Sequence, residues 1–148
     1  MCIRDRSTAA KGSSGVSQAI KDTSGSIGYV DLSDANATGL SMAAIKNKDG
    51  EFVMPTLEGA SAALAGAEVK DDLTLNPLNT AGADSYPITA STYVLIYTNP
   101  AGGKAQAIKG WLTYLLTDAQ DLASEVDFAP LPAELQKKAL AQIEKIQG

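Results

Sequence analysis

The run Thr92–Thr98, TYVLIYT, limits the possible folds of this chain more than any other stretch. Its β-branched and aromatic residues predict a buried β-strand. Pro87 stands at the approach to this strand, where a missing N–H does least harm to pairing. After a turn, Lys104–Leu116 predicts a helix, because its apolar residues recur at helical spacing and form one stripe. The stripe consists of Ile108, Trp111, Leu112, Leu115 and Leu116. Strands separated by helices predict a mixed α/β fold.

The middle of the chain carries local signals for a hairpin and a helix. Asp49-Gly50 after a short apolar run predicts a turn between residues 41–45 and 51–54. The alanine-rich segment Leu57–Ala67 predicts a helix, and Thr56 is suited to accept a hydrogen bond as its N-cap.

The N-terminal third predicts a helix followed by a short strand. The helix covers Gly15–Lys21, with Ser13 or Ser14 as its N-cap. The strand covers Ser26–Asp31 and contains Gly28. A glycine inside a strand often indicates that another element approaches closely.

Two helices are expected to close the chain. Thr117 with Asp118 is suited to cap a short helix that runs through Ser124. Pro132 fits the first turn of the last helix. The buried face of that helix is predicted to consist of Leu135, Ala139, Ile143 and Ile146.

Composition excludes several functions within this chain. A net charge of −5 argues against a nucleic acid partner, because binding phosphates needs clustered Lys and Arg. Histidine is absent, which excludes a Ser-His-Asp triad and any histidine-ligated metal. One cysteine allows no internal disulfide. No segment reaches the roughly 18 apolar residues of a membrane helix.

Residues 1–6, MCIRDR, differ in character from the acidic, alanine-rich remainder. They contain no apolar core and no small-residue cleavage site, so they are not a signal peptide. One choice of codons for them resembles the end of a transposon adapter used in DNA library preparation. We therefore interpret residues 1–6 as a non-native start at a truncated reading frame.

Three motifs resemble known sites without meeting their requirements. Gly102-Gly103-Lys104 is not a P-loop, because Thr98 and Ala105 stand where a glycine and a Ser or Thr are required. The Ser-Gly loop Lys11–Gly15 opens a helix, which usually means a cap rather than an anion site. Asp71-Asp72 fits a solvated turn better than a catalytic dyad.

Three hydroxyls cluster where an irregular segment leads into the predicted strand. They belong to Thr89, Ser91 and Thr92. Hydroxyls at a strand end can bind a small anion, or they can satisfy neighbouring backbone groups. Both interpretations stay open from the residues alone.

Four segments in the same order resemble the periplasmic phosphate-binding proteins, the solute receptors of the ABC phosphate importer. KGSSGVSQAIKDT resembles the family's GKG-x-x-G-V segment, and SGSIGYVDLS resembles its PGAIGYVE segment. YPITASTYVLIY resembles the family's PI-x-x-T(Y/F) approach to a strand. WLTYLLTDAQDLASEVDFAPLPAEL resembles its closing helices and GYAPLP. The resemblance covers residues 10–146.

This resemblance implies a two-lobed α/β fold of the type II periplasmic binding protein class, present here in part. Residues 7–84 would supply the end of the second lobe. Residues 85–148 would cross back and complete the first lobe.

The resemblance also implies a function. Family members capture inorganic phosphate outside the cytoplasm, in the periplasm or lipid-anchored at the outer face of the membrane. They deliver it to an ABC permease, need no cofactor and are not enzymes. The family's main ligand motif, R-x-D-G-S-G-T, is absent from this chain. Thr89 and Ser91 are therefore the candidate phosphate-binding residues that remain.

Other functions stay open at this point. A receptor of the same fold could bind another oxyanion, or a secreted relative could serve in adhesion or phosphate sensing. A hydrolase would need residues that this chain lacks. A self-contained small α/β domain would unfold cooperatively as residues 7–148.

Overall fold

The computed structural model describes residues 7–147. Residues 1–6, interpreted above as a non-native start, lie outside the described residues. The chain forms two compact units, with the boundary between Ala43 and Ala44. The first unit contains helices α1 (Gly12–Asp22) and α2 (Leu32–Thr38). The second contains strands β1 (Ile45–Lys46) and β2 (Phe52–Val53), then helices α3 (Leu57–Ala65), α4 (Ala105–Leu116), α5 (Gln120–Glu125) and α6 (Ala133–Ile143).

In the first unit, α1 packs against the segment that follows it. A Cβ added to Gly28 would lie 2.7 Å from Ile20 Cδ1 and 3.4 Å from Val16 Cγ1. Glycine therefore lets the two segments approach each other, as the sequence predicted. Gly39 ends α2 with φ of +67°, a left-handed conformation that glycine adopts without penalty.

The second unit begins with the predicted hairpin. β1 and β2 pair antiparallel, with Ile45 opposite Val53 and Lys46 opposite Phe52. The predicted cap of α3 is also present. Thr56 Oγ1 accepts a hydrogen bond from the Gly59 N–H at 3.1 Å.

Replacing Thr56 with alanine is expected to destabilise α3 by about 1 kcal/mol, because one N–H in its first turn loses its acceptor. Thr56→Ser keeps the acceptor and should cost much less. Chemical unfolding, monitored by circular dichroism at the helical band, measures the stability of both variants. Equal losses for alanine and serine would show that the Thr56 methyl group, and not the cap, stabilises the helix.

The apolar core of the second unit lies between α4 and α6. Ala105, Ile143 and Ile146 are buried there, and four partly buried residues pack against them. These four are Ile108, Leu112, Leu116 and Leu140. Of the stripe predicted on α4, Ile108, Leu112 and Leu116 therefore face the core. Leu115 is partly buried outside this cluster, and Trp111 is half-exposed. Leu135 is also buried on α6, whereas Ala139 is only partly buried.

The last two carbonyl groups of α4 accept hydrogen bonds from glutamine side chains, while the Tyr114 carbonyl accepts from the N–H groups of Thr117 and Ala119. Gln120 Nε2 donates to the Leu115 carbonyl at 2.7 Å, and Gln136 Nε2 donates to the Leu116 carbonyl. The Leu131 N–H donates to Gln120 Oε1 at 2.8 Å. Helix-terminal carbonyls that lack intrahelical partners are thus satisfied by side chains from α5 and α6.

The side-chain caps predicted for α1 and α5 are wrong. Lys11 is the N-cap of α1, and no side chain caps that helix. Ser13 Oγ instead donates to Asp31 Oδ2 at 3.2 Å. Thr117 Oγ1 donates to the Thr113 carbonyl and to Asp118, which leaves Ala119 at the N-cap position of α5.

Two segments predicted as strands are not paired within the described residues. Ser26–Asp31 and Thr92–Thr98 carry strand-forming residues, yet the only ladder in residues 7–147 is β1–β2. Ile27 and Tyr29 are almost fully exposed. Sequence composition favours a strand, but a strand is completed only by hydrogen bonds to a neighbouring one.

Candidate functional site

The loop that precedes the candidate hydroxyls is fixed to the hairpin by the amide of Asn47. This side chain is buried in the turn between β1 and β2. Its Nδ2 donates to the carbonyls of Gly82, Ala83 and Ser85 at 3.0, 2.8 and 3.4 Å. Its Oδ1 accepts from the N–H groups of Asp49 and Glu51 at 3.1 and 3.0 Å. One buried amide thus joins the hairpin turn to residues 82–85.

Further hydrogen bonds hold the same loop from both sides. Asp49 Oδ2 accepts from the Gly82 N–H at 2.9 Å. The Tyr86 N–H donates to the Gly59 carbonyl of α3 at 3.0 Å, and the Asn79 N–H donates to the Pro87 carbonyl at 2.9 Å. Partial burial raises the pKa of the Tyr86 hydroxyl above its ordinary value. The backbone that leads to the candidate hydroxyls is therefore well fixed.

Thr89 uses its hydroxyl hydrogen locally. The residue is buried, and its Oγ1 donates to the Tyr86 carbonyl at 2.9 Å. A hydroxyl has one hydrogen to donate, so Thr89 Oγ1 can offer a ligand only an acceptor. The role of this residue in satisfying the local turn is confirmed.

Ser91 differs from Thr89 in this respect. Its Oγ is buried and has no hydrogen-bond partner among residues 7–147. Ser17 in α1 is the other buried hydroxyl in that condition. An unsatisfied buried polar group costs about 1 to 3 kcal/mol, so it usually indicates a missing partner. Thr92, the third hydroxyl of the group, is exposed.

The glycine-rich loops provide turns and no built anion site. Gly102 and Gly103 have φ of +78° and +64°, and Lys104 is exposed at the N-cap of α4. This geometry turns the chain into the helix, as the sequence suggested. Glycine fits both positions because other residues are disfavoured at positive φ.

The carboxylate pair Asp71-Asp72 does not form a general acid. The Thr74 hydroxyl and its N–H both donate to Asp72 Oδ1, at 2.6 and 3.0 Å. These hydrogen bonds lower the pKa of the exposed Asp72 carboxyl below its ordinary value. A catalytic acid needs the opposite shift. Within residues 7–147, no group of three acidic or thiol side chains could hold a metal ion.

Asn47 is the residue of this region that sequence reasoning missed. The sequence presented Asn47-Lys48-Asp49-Gly50 as turn residues only. An asparagine that opens a turn commonly accepts a hydrogen bond from the N–H two residues later, so this part of its role could be predicted from the sequence. Its hydrogen bonds to residues 82–85 join positions distant in sequence, so no local sequence pattern predicts them.

A model of the PBP superfamily domain matches residues 2–119. The chain belongs to the PBP superfamily. The mixed α/β architecture agrees with the periplasmic binding protein fold of that superfamily. No helix within residues 7–147 has both the length and the apolar character needed to cross a membrane.

Curated members of this superfamily are similar to most of the chain. The phosphate-binding protein PstS of Methanocaldococcus jannaschii is 37% identical over 78% of this chain and 33% of its own length. PstS of Pasteurella multocida is 30% identical over 89% and 39%, and PstS of Xylella fastidiosa is 32% identical over 86% and 36%. These relatives confirm the resemblance predicted from the four motifs. The chain spans only about a third of the length of the relatives it matches.

Proposed function

We propose that the protein to which this PBP-superfamily chain belongs captures inorganic phosphate for an ABC importer. The similarity to several proteins named phosphate-binding protein PstS carries this proposal. The family resemblance further supports a site of action outside the cytoplasm, either free in a periplasm or lipid-anchored, with a membrane permease as partner. Such a receptor binds and releases its ligand unchanged, so it is not an enzyme.

We propose the type II receptor architecture in particular, with residues 7–84 in the second lobe and residues 85–148 completing the first. The unpaired segments Ser26–Asp31 and Thr92–Thr98 support this assignment. Both carry strand-forming residues without a strand partner among residues 7–147. In a complete receptor, neighbouring strands of each lobe would pair with them.

Of the two candidate hydroxyls, Ser91 is the better phosphate donor. Phosphate oxygens accept hydrogen bonds, so a ligand group must have a hydrogen to offer. The Thr89 hydrogen is directed at the Tyr86 carbonyl, whereas Ser91 Oγ has no partner within residues 7–147. The fixed loop before Ser91 would hold that hydroxyl in place before phosphate arrives, which reduces the entropy lost on binding.

Calorimetry on two polypeptides tests the proposal. One is the 148-residue chain, and the other replaces residues 1–6 with upstream sequence, to the length of the curated relatives. We expect the extended protein to bind phosphate and not sulfate, and the short chain to bind neither. Comparable phosphate affinity of the short chain would place the site within these residues. Sulfate binding by the extended protein would identify a receptor for another oxyanion.

Two substitutions in the extended protein distinguish the roles of the Ser91 and Thr89 hydroxyls. Ser91→Ala is expected to weaken phosphate binding about tenfold or more, because a hydrogen bond to a charged group contributes about 1.5 to 3 kcal/mol. The same change should leave stability equal or slightly higher. Thr89→Val is expected to lower stability by about 1 kcal/mol through loss of its bond to the Tyr86 carbonyl. Its phosphate affinity should change little, and the reverse pattern would exchange the two roles.

A further inference from the structure

The amide of Asn47 makes more hydrogen bonds than the hairpin turn requires. Its Oδ1 accepts from the N–H groups of Asp49 and Glu51, and these two bonds hold the turn. Its Nδ2 donates to carbonyls much later in the chain, 35 positions on at Gly82 and 38 positions on at Ser85. The residue is only 6% exposed, so little water competes for these bonds. The donor half of the amide therefore serves the distant loop and not the turn.

The short stretch between this loop and Ser91 has little freedom of its own. The ring of Pro87 fixes its φ, and its carbonyl accepts from the Asn79 N–H at 2.9 Å. Thr89 Oγ1 donates back to the Tyr86 carbonyl at 2.9 Å. A displacement of residues 82–85 would therefore reach Ser91 rather than be absorbed before it.

The Ser91 hydroxyl is sensitive to such a displacement. Its Oγ is buried and has no hydrogen-bond partner among residues 7–147, so no bond of the described chain holds this oxygen in place. A hydroxyl donates well only when the two oxygens lie about 2.5 to 3.0 Å apart and are well aligned. The position of this donor is thus determined by the backbone, and the backbone before it is held by Asn47.

We propose that Asn47 is a positioning residue for the phosphate site and acts through residues 82–87 on the Ser91 hydroxyl. The inference rests on the function proposed above and names a residue on which that site depends. Asn47 itself donates to backbone carbonyls and not to the ligand. By holding the loop before phosphate arrives, it reduces the conformational freedom that is lost on binding.

A residue that only stabilised the fold would give a different result. Loss of stability lowers the fraction of folded molecules, but the folded molecules keep their affinity. Ile143→Ala is the matched control, because Ile143 is buried in the cluster between α4 and α6 and its truncation also destabilises the second unit. In calorimetry, the stoichiometry reports the folded fraction and the dissociation constant reports the affinity.

Phosphate calorimetry on variants of the extended protein tests the proposal. Asn47→Ala is expected to weaken phosphate binding about fivefold or more, through partial loss of the hydrogen bond from Ser91. Asn47→Asp keeps the acceptor of the turn but loses the donor to the loop, so it should weaken binding as well. Ile143→Ala should keep the affinity of the unaltered protein. Unchanged affinity in Asn47→Asp, or equal losses in Asn47→Ala and Ile143→Ala, would overturn the proposal.

A double-mutant cycle tests whether Asn47 acts through Ser91. In a Ser91→Ala background, Asn47→Ala should weaken phosphate binding less than about twofold, because the hydroxyl that it positions is gone. Additive losses would refute the coupling of the two residues and with it the proposal. Failure of the unaltered extended protein to bind phosphate would instead refute the proposed function, so the two failures are distinguishable.

Discussion

Asn47→Ala is expected to release the loop of residues 79–87 from the rest of the second unit. The substitution removes five hydrogen bonds of a buried amide and leaves three backbone carbonyls without their donor. Net contributions of about 1 kcal/mol each, together with the cost of unsatisfied buried groups, give a local loss of about 3 kcal/mol or more. Alanine also leaves space that the surrounding loop cannot fill without moving.

Amide hydrogen exchange measures this change locally, without requiring that the whole chain unfold in one step. A loss of about 3 kcal/mol corresponds to roughly 100-fold faster exchange at Gly82, Ser85 and Tyr86. Asn76→Ala is the matched control, because its Oδ1 accepts one hydrogen bond, from Leu78, in an exposed turn. Equal acceleration in both variants would show that Asn47 contributes no more than an ordinary turn residue.

Ile143→Ala is expected to destabilise the helical part of the second unit by about 3 kcal/mol. Ile143 is buried in the cluster with Ala105 and Ile146, so truncation removes apolar contacts between α4 and α6 and leaves a cavity. With an m value typical of a small protein, this loss lowers the urea concentration at the unfolding midpoint by about 1 to 2 M.

Urea unfolding followed at the helical circular dichroism band checks this expectation. Leu122→Ala is the comparison, since a half-exposed leucine on α5 should lose less than about 1 kcal/mol. Similar midpoints for the two variants would mean that the α4–α6 cluster does not determine the stability of these helices.

Sequence reasoning succeeded where a short stretch of chain determines its own structure. The Thr56 cap, the Asp49-Gly50 turn and the apolar stripes of α4 and α6 depend on residues within a few positions of one another. It also identified Gly28 as a point of close approach. These features are local, so the sequence alone is sufficient to predict them.

It failed where structure depends on partners distant in sequence. Thr92–Thr98 has the composition of a buried strand, yet within residues 7–147 no other strand pairs with it. Trp111 lies on a helical stripe whose other members are partly buried, while it remains half-exposed. For the candidate site, the sequence selected Thr89 and Ser91 but could not tell which hydroxyl was already engaged. That difference follows from the Tyr86 carbonyl.

The half-exposed Trp111 provides an intrinsic fluorescence probe of its surroundings. It is the only tryptophan, so intrinsic fluorescence excited at the red edge comes from one defined position on α4. An indole in contact with water emits at longer wavelength than a covered one. Any added polypeptide or partner that packs over Trp111 should therefore shift the emission to shorter wavelength.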